Sequence, residues 1–410
     1  MAASSRNLLA WGANSFGQLA LGHTRDCLIP EVVDHPPEGI KLLAGGAGHT
    51  ALLTESGKVF MCGSNFKGQL GLGHTQNMHR LVEVPELPCI AKVACGWDHT
   101  LAITDKGHLF SWGSNMFGQL AHTARRPARI TAFPSGHAVI DIAAGLRHSL
   151  AVTKDGRVWS WGSGVKGQLG RFDQQAQAGA QAGAESRAVP EKSEQPQPVN
   201  FDGDKVKIIQ VAAGANHSVA LSDEGIIYVW GENKRGQLGE EPSSESVAKA
   251  DTSPLPKALD REFFGGRSVQ RIHSGWTHMI AVLDDRTIVA WGRNDYGQLG
   301  CPAKPDDGDD EEEADEGTSE GNGERSTNRY SCTPVEVPVL QGCRQIVCGA
   351  EHNLAITEDQ VLLAWGWNEH GMCGDARVID VHTPKKVDTR VGGKPVLIGS
   401  GAGHCLALCE

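Results

Sequence analysis

The tightest constraint on this chain is a phrase that returns seven times: WGANSFGQLALG from Trp11, CGSNFKGQLGLG from Cys62, WGSNMFGQLAHT from Trp112, WGSGVKGQLG from Trp161, WGENKRGQLG from Trp230, WGRNDYGQLG from Trp291 and WGWNEHGMCGD from Trp365. A second phrase, G-x-x-H leading into an apolar run, also returns seven times, with its histidine at His49, His99, His148, His217, His278, His352 and His404. In six pairs the histidine precedes the Trp, or Cys62, by 13 residues. The seventh pair is split between the ends of the chain, since Trp11 has no histidine before it and His404 has no Trp after it. One supersecondary unit repeated in this way cannot cover its own apolar face and must stack on its neighbours.

Between each histidine and the next Trp, two short apolar runs flank a turn signal: TESG at 54, TDKG at 104, TKDG at 153, SDEG at 222, then LDDR at 283 and TEDQ at 357 without the glycine. Alternating apolar residues around such a turn predict a β-hairpin with the histidine and the Trp together at its open end. Extended segments such as PEVV at 30 and TPVEV at 333 complete a small sheet. Small twisted sheets that stack can close into a ring, and pairing the two orphan ends would remove the exposed strand edges. The expectation is an all-β fold, a seven-bladed β-propeller closed by pairing of its N- and C-terminal strands, as a single domain over residues 1–410.

Gly162, Gly164 and Gly167 are spaced as in a dinucleotide-binding loop. That chemistry needs a strand, a helix N-terminus and a βαβ unit around the glycines, and the repeat supplies none of them. Gly164 stands where the other copies have Asn14, Asn65, Asn115, Asn233, Asn294 and Asn368. Asn and Gly are the residues that most readily turn left-handed, so the position reads as a left-handed turn.

Composition agrees: 51 Gly, 10 Trp and only 3 Tyr suit tight turns around a recurring large aromatic. No long apolar run or charged leader is present, so the reading is a protein that neither enters a membrane nor is secreted, placed in the cytoplasm with the nucleus as a second compartment. The 11 Cys show no CxxC pairs and read as reduced thiols, with no metal and no cofactor expected. The net charge is −11, but residues 306–325 hold eleven acids and one Arg, a net of −10, which leaves −1 for the rest. A nearly neutral body is a poor match for nucleic acid. Residues 171–198 and the acidic stretch 301–330 read as disordered loops between strands, the second either solubilising or a lure for a basic partner.

The pairing of a G-x-x-H strand with a WGxNxxGQLG strand resembles the regulator of chromosome condensation repeat family over nearly the whole chain. The resemblance implies a regulator of a small Ras-superfamily GTPase, a guanine nucleotide exchange factor, with secretion and the exocyst as its setting. It implies no covalent chemistry and a monomer. The family's chromatin-bound member sets one propeller face against its GTPase, largely through the G-x-x-H loops and a longer wedge loop after one WG motif. This chain departs from that pattern, because the glycine of WG and the next motif glycine are five apart in all seven copies. Other relatives use the propeller only for binding, so a non-catalytic scaffold in trafficking stands as the alternative.

The seven histidines and Trp11, Trp112, Trp161, Trp230, Trp291 and Trp365 read as scaffold, since chemistry is seldom needed seven times around a ring. Residues that break the repeat are the better candidates for a partner-binding face: Trp97, Asp98, Arg147, Trp276, Thr277 and Glu351 from the G-x-x-H loops, and Arg293, Tyr296, Trp367 and Glu369 from the WGxN loops. Aromatics and Arg gathered in loops are the composition of a binding hot spot. In an exchange mechanism Asp98 or Glu351 would compete with phosphate, leaving affinity to the nonrepeat Trp residues.

Overall fold

Seven four-stranded antiparallel sheets make up the computed structural model, which describes residues 6–133, 137–172, 189–201, 206–242, 251–301 and 329–410. Blade 2 shows the plan: β3 (Ile40–Gly45) lines the axis, β4 (His49–Thr54) and β5 (Val59–Gly63) form the hairpin, and β6 (Met78–Glu83) is the rim strand. Blades 3 to 7 follow along the chain as residues 90–129, 139–198, 208–259, 269–336 and 345–386. Every residue of β4 is buried, whereas no residue of β6 is. The core therefore lies between blades rather than within one.

Blade 1 is built from both ends of the chain. Its strands are β27 (Pro395–Ser400), β28 (His404–Cys409), β1 (Asn7–Gly12) and β2 (Cys27–Val32). β28 pairs with β1 without interruption from Asn7↔Cys409 to Gly12↔His404. The closure expected from the split seventh pair is thus formed by a full ladder.

One joint repeats around the ring and explains the two phrases. The residue after each histidine faces the Trp across the hairpin, as in Thr100↔Trp112. In blade 3 the Trp112 indole N–H and the Thr100 hydroxyl both donate to the Gln69 carbonyl of blade 2, at 2.9 and 3.0 Å. Nε2 of His49 in blade 2 meets the same Thr100 hydroxyl at 3.2 Å. Equivalent contacts join Trp161 and Ser149 to Gln119, Trp230 and Ser218 to Gln168, and Trp365 and Asn353 to Gln298. His404 closes the series on Thr50 at 2.8 Å. All seven histidines and all six motif Trp residues are fully buried.

The glycines are dictated by close approach. A Cβ on Gly96 would lie 2.2 Å from Cε1 of His99, so the G-x-x-H glycine is the bed for its own histidine. Gly162 of the WG pair has φ +99°, and a Cβ there would lie 2.5 Å from the Arg147 carbonyl. The nucleotide-loop spacing is accidental: Gly162 lies within β13 (Val158–Ser163), and among the described residues the next element is β14 (Lys192–Pro198), a strand of the same sheet.

The fourth motif position corrects the sequence reading. Neither its six Asn residues nor Gly164 is among the residues of positive φ; the glycines around them, such as Gly12 and Gly17, are. Asn is required for its side chain. Asn14 Oδ1 accepts the Leu19 N–H at 3.0 Å, and its Nδ2 donates to the carbonyls of His23 and Arg25 at 2.9 and 3.0 Å. Gly164 lacks that staple for a steric reason, since the Pro190 carbonyl sits 2.1 Å from where its Cβ would be.

The loop bounds also need correction. Residues 192–198, expected within a loop, form β14, because their backbone pairs with β13. Similarly, Tyr330 opens β22 (Tyr330–Glu336). The central parts of both expected loops, 173–188 and 302–328, lie outside the described residues.

The two hairpin turns that lack glycine keep its conformation, with φ of +68° at Arg286 and +59° at Gln360. A left-handed residue with a Cβ is strained by about 1–2 kcal/mol, partly offset by the greater unfolded-state freedom of glycine. Gln360→Gly is therefore expected to stabilise the ring by about 0.5–1 kcal/mol, read as a higher guanidinium midpoint. No gain would mean the strain is relieved by local contacts.

Candidate functional site

Because the histidine and the Trp share the open end of each hairpin, the G-x-x-H loops and the WGxN loops emerge on one face of the ring, with the TESG-type turns on the other. Backbone bonds link the G-x-x-H loops in a circle around the axis. Ala47 N–H donates to Trp97, Trp97 to Gly145, Leu146 to Ala215, Ala215 to Trp276, Trp276 to Ala350, Ala350 to Ala402 and Ala402 to Gly46. The same loops line the mouth of the central channel. This circle fixes the loop backbones and so aims the variable side chains they carry.

Two of those side chains meet over the axis. Trp97 of blade 3 and Trp276 of blade 6 come from opposite sides of the ring, with ring centroids 5.1 Å apart and planes tilted by 38°. Trp276 is partly buried, while Trp97 stays 43% exposed. Together they roof the channel mouth and still present an aromatic surface.

Asp98 follows Trp97 of this roof in the same G-x-x-H loop and is half-buried. Burial raises its proton affinity, opposed by Ser114 and by the charges of Lys67 and Arg147. Arg147 is exposed, with its guanidinium 4.6 Å over the ring of Phe117.

Thr277, Glu351, Arg293, Tyr296 and Trp367 form a second cluster, on blades 6 and 7. Glu351 is only 5% exposed, and its oxygens accept from Thr277 Oγ1 and Gln298 Nε2, both at 2.7 Å. Arg293 Nη1 stands 3.5 Å away and His278 Nδ1 3.7 Å. Burial disfavours the charged form of His278, but Cys348 and Glu351 overcome it and hold its pKa at about 10, unlike its six counterparts. Arg293 also pairs with Asp295 at 2.7 Å and covers the Tyr296 ring at 4.7 Å. Tyr296 and Trp367 are 6.4 Å apart, and Trp367 meets His370 at 5.6 Å. Glu351, read from sequence as a surface carboxylate, lies beneath the face and organises it; Glu369 is exposed and outside the network.

Sequence reasoning used charged residues such as Glu369 just after the motif Asn and passed over the apolar ones; the residues at this position vary between blades. In blades 2, 3 and 4 these are Phe66, Met116 and Val165, exposed by 61%, 69% and 56%. In blades 5, 6 and 7 they are Lys234, Asp295 and Glu369. Phe16 of blade 1 extends the apolar side, its ring edge-on to Phe66 at 5.9 Å. The apolar signal was present in the sequence, in FKG, MFG and VKG.

One group of metal-type donors occurs among the described residues, His23, Cys27 and Glu31, with donor atoms within 4.8 Å of one another. His23 Nδ1 already accepts from Asn14 Nδ2 and the Arg25 N–H, both at 3.2 Å, which leaves the proton on Nε2. His74 and His122 receive a backbone N–H in the same way in their loops, so this histidine is a turn cap.

Comparison with known proteins agrees with this architecture. The model of the RCC1-like domain matches residues 7–407. The secretion-regulating guanine nucleotide exchange factor of Mus musculus is 39% identical over 98% of this chain and 83% of its own length, and that of Bos taurus is equally similar. Among solved structures, Prp20p from Saccharomyces cerevisiae, described with its binding to Gsp1p and histones, superposes with a TM-score of 0.80 at 22% identity over 100% of this chain and 92% of its own. Human WBSCR16 superposes with a TM-score of 0.78 at 24% identity over 99% of both chains. Repeat, ring closure and an end-to-end match coincide: the chain belongs to the RCC1-like domain family.

Proposed function

We propose that this protein is a guanine nucleotide exchange factor for a small GTPase, acting in secretion through the face that carries Trp97, Asp98 and Trp276. The observation that supports this most strongly is the near full-length similarity to the secretion-regulating exchange factors. The propeller holds no nucleotide itself. It prefers the nucleotide-free GTPase, and by linkage that preference weakens nucleotide binding on the GTPase by the same factor. Asp98, half-buried beside an exposed aromatic, is placed to compete with phosphate for a cation of the nucleotide site; Glu351 is committed to holding Arg293, Thr277 and His278 in position. The exocyst is a partner consistent with the secretory setting.

Two measurements test this reading. Binding to purified GTPases is expected to be strong after EDTA stripping and weak after loading with GDP or GTP; equal binding in all states identifies a scaffold instead. Asp98→Ala is expected to slow catalysed GDP release by about tenfold, the size of one lost charge-assisted contact, with the melt unchanged. Unaltered release would remove Asp98 from the mechanism.

A further inference from the structure

The face that carries the G-x-x-H and WGxN loops is divided, and its two halves are built differently. On blades 6 and 7 the loop residues Arg293, Asp295, Glu351 and Tyr296 are tied to one another, so few of their polar groups are free to meet a partner. On blades 2 to 4 the tips of three successive loops are Phe66, Met116 and Val165, all more than half exposed. A folded chain that leaves three large apolar side chains in a row on a fixed scaffold has an uncovered contact surface. The exposed charges set among them are Lys67 and Arg147, neither within 4 Å of an acid among the described residues; the half-buried Asp98 feels both, and Lys166 beside Val165 is answered by Glu232 at 3.7 Å.

We propose that this arc is the surface on which the partner GTPase docks, and that the partner presents there an apolar patch edged with acidic residues. The inference rests on the exchange-factor reading and adds the place and chemistry of docking: the arc supplies affinity, while Asp98 and the Trp roof act at the nucleotide site. Charge complementarity selects this occupant. A second copy of the same chain related by a two-fold axis through the arc would bring Lys67 and Arg147 close to their own equivalents, with only the half-buried Asp98 on each copy to set against two exposed cations. Nucleic acid would be expected to stack on aromatics in a continuous basic groove, and here two of the three tips are aliphatic. An apolar centre with a cationic edge instead matches the anatomy of a protein contact.

The test uses the full chain and a panel of purified, EDTA-stripped small GTPases, one from each branch of the Ras superfamily. The double variant Met116→Glu/Val165→Glu changes only exposed loop tips, and its melt is to be compared with wild type. For the GTPase that binds wild type, the double variant is expected to bind at least 100-fold more weakly, and Lys67→Glu to weaken binding and flatten its salt dependence. Lys154→Glu, on the opposite face, is expected to bind as wild type. If the double variant keeps wild-type affinity, the arc is not the docking surface and the exchange-factor reading stands. If wild type binds no member of the panel in the stripped state, the exchange-factor reading itself falls, and this proposal with it.

Discussion

Taking the protein from pH 7 to pH 5 is expected to unfold the ring. Six of the seven belt histidines, His49, His99, His148, His217, His352 and His404, are fully buried, and burial lowers their pKa values to about 3 or 4. In the unfolded chain a histidine titrates near 6.5. A group whose pKa falls on folding contributes stability above its unfolded value and loses it as the pH drops toward its folded value. At pH 5 the unfolded chain binds a proton at each site that the ring refuses, which costs about 2 kcal/mol per histidine and roughly 12 kcal/mol for six. A typical domain has about 5–15 kcal/mol to lose. His278 has the opposite sign: held up at about 10, it contributes fully below 6.5 and loses that contribution as the pH rises toward 10. Stability is therefore expected to peak near neutrality and fall steeply on the acid side. Circular dichroism and Trp fluorescence across pH 7 to 4 measure this, and a ring still folded at pH 4.5 would show that the belt accepts protons in place.

Replacing Trp230 by Ala is expected to cost about 3–5 kcal/mol, the range for a large aromatic removed from a core. Trp230 is fully buried, donates to the Gln168 carbonyl at 2.9 Å and meets the edge of Phe201 at 5.9 Å. The Gln168 carbonyl keeps a second donor in Ser218 Oγ at 2.8 Å, so no polar group is orphaned and the loss comes from the cavity. Guanidinium denaturation reads it directly. A loss below about 1 kcal/mol would mean that the neighbouring blade collapses into the space. Blade 2 already carries a smaller residue here, since Cys62 takes the Trp position and points its Sγ at the Gln18 carbonyl, 3.5 Å away.

The ring was legible because its determinants are local and repeated. A fixed offset between histidine and Trp defines a hairpin, and complementary halves at the two ends define a closed circle. What escaped the sequence was the use made of each residue. Asn14 and its counterparts share a tolerance for left-handed backbone with glycine, yet the loop uses the amide. Glu351 sits in a variable loop position, and only the packing of blades 6 and 7 shows that its carboxylate turns inward. Trp97 and Trp276 were recognised as unusual, but their stack spans the axis and no local pattern encodes it. Phe66, Met116 and Val165 were hidden by the repeat itself, because a position inside a recurring motif looks structural until its exposure is known.

The ladder between the first and last strands has a practical corollary. β1 starts and β28 finishes at the same edge of blade 1, where Asn7 sits opposite Cys409, and that edge belongs to the side of the disc away from the Trp roof. A fluorophore, bead or fusion partner attached beside Asn7 or Cys409 would hang beneath the disc and leave the opposite surface unobstructed. Immobilised in that way, the molecule would meet whatever is in solution in one orientation.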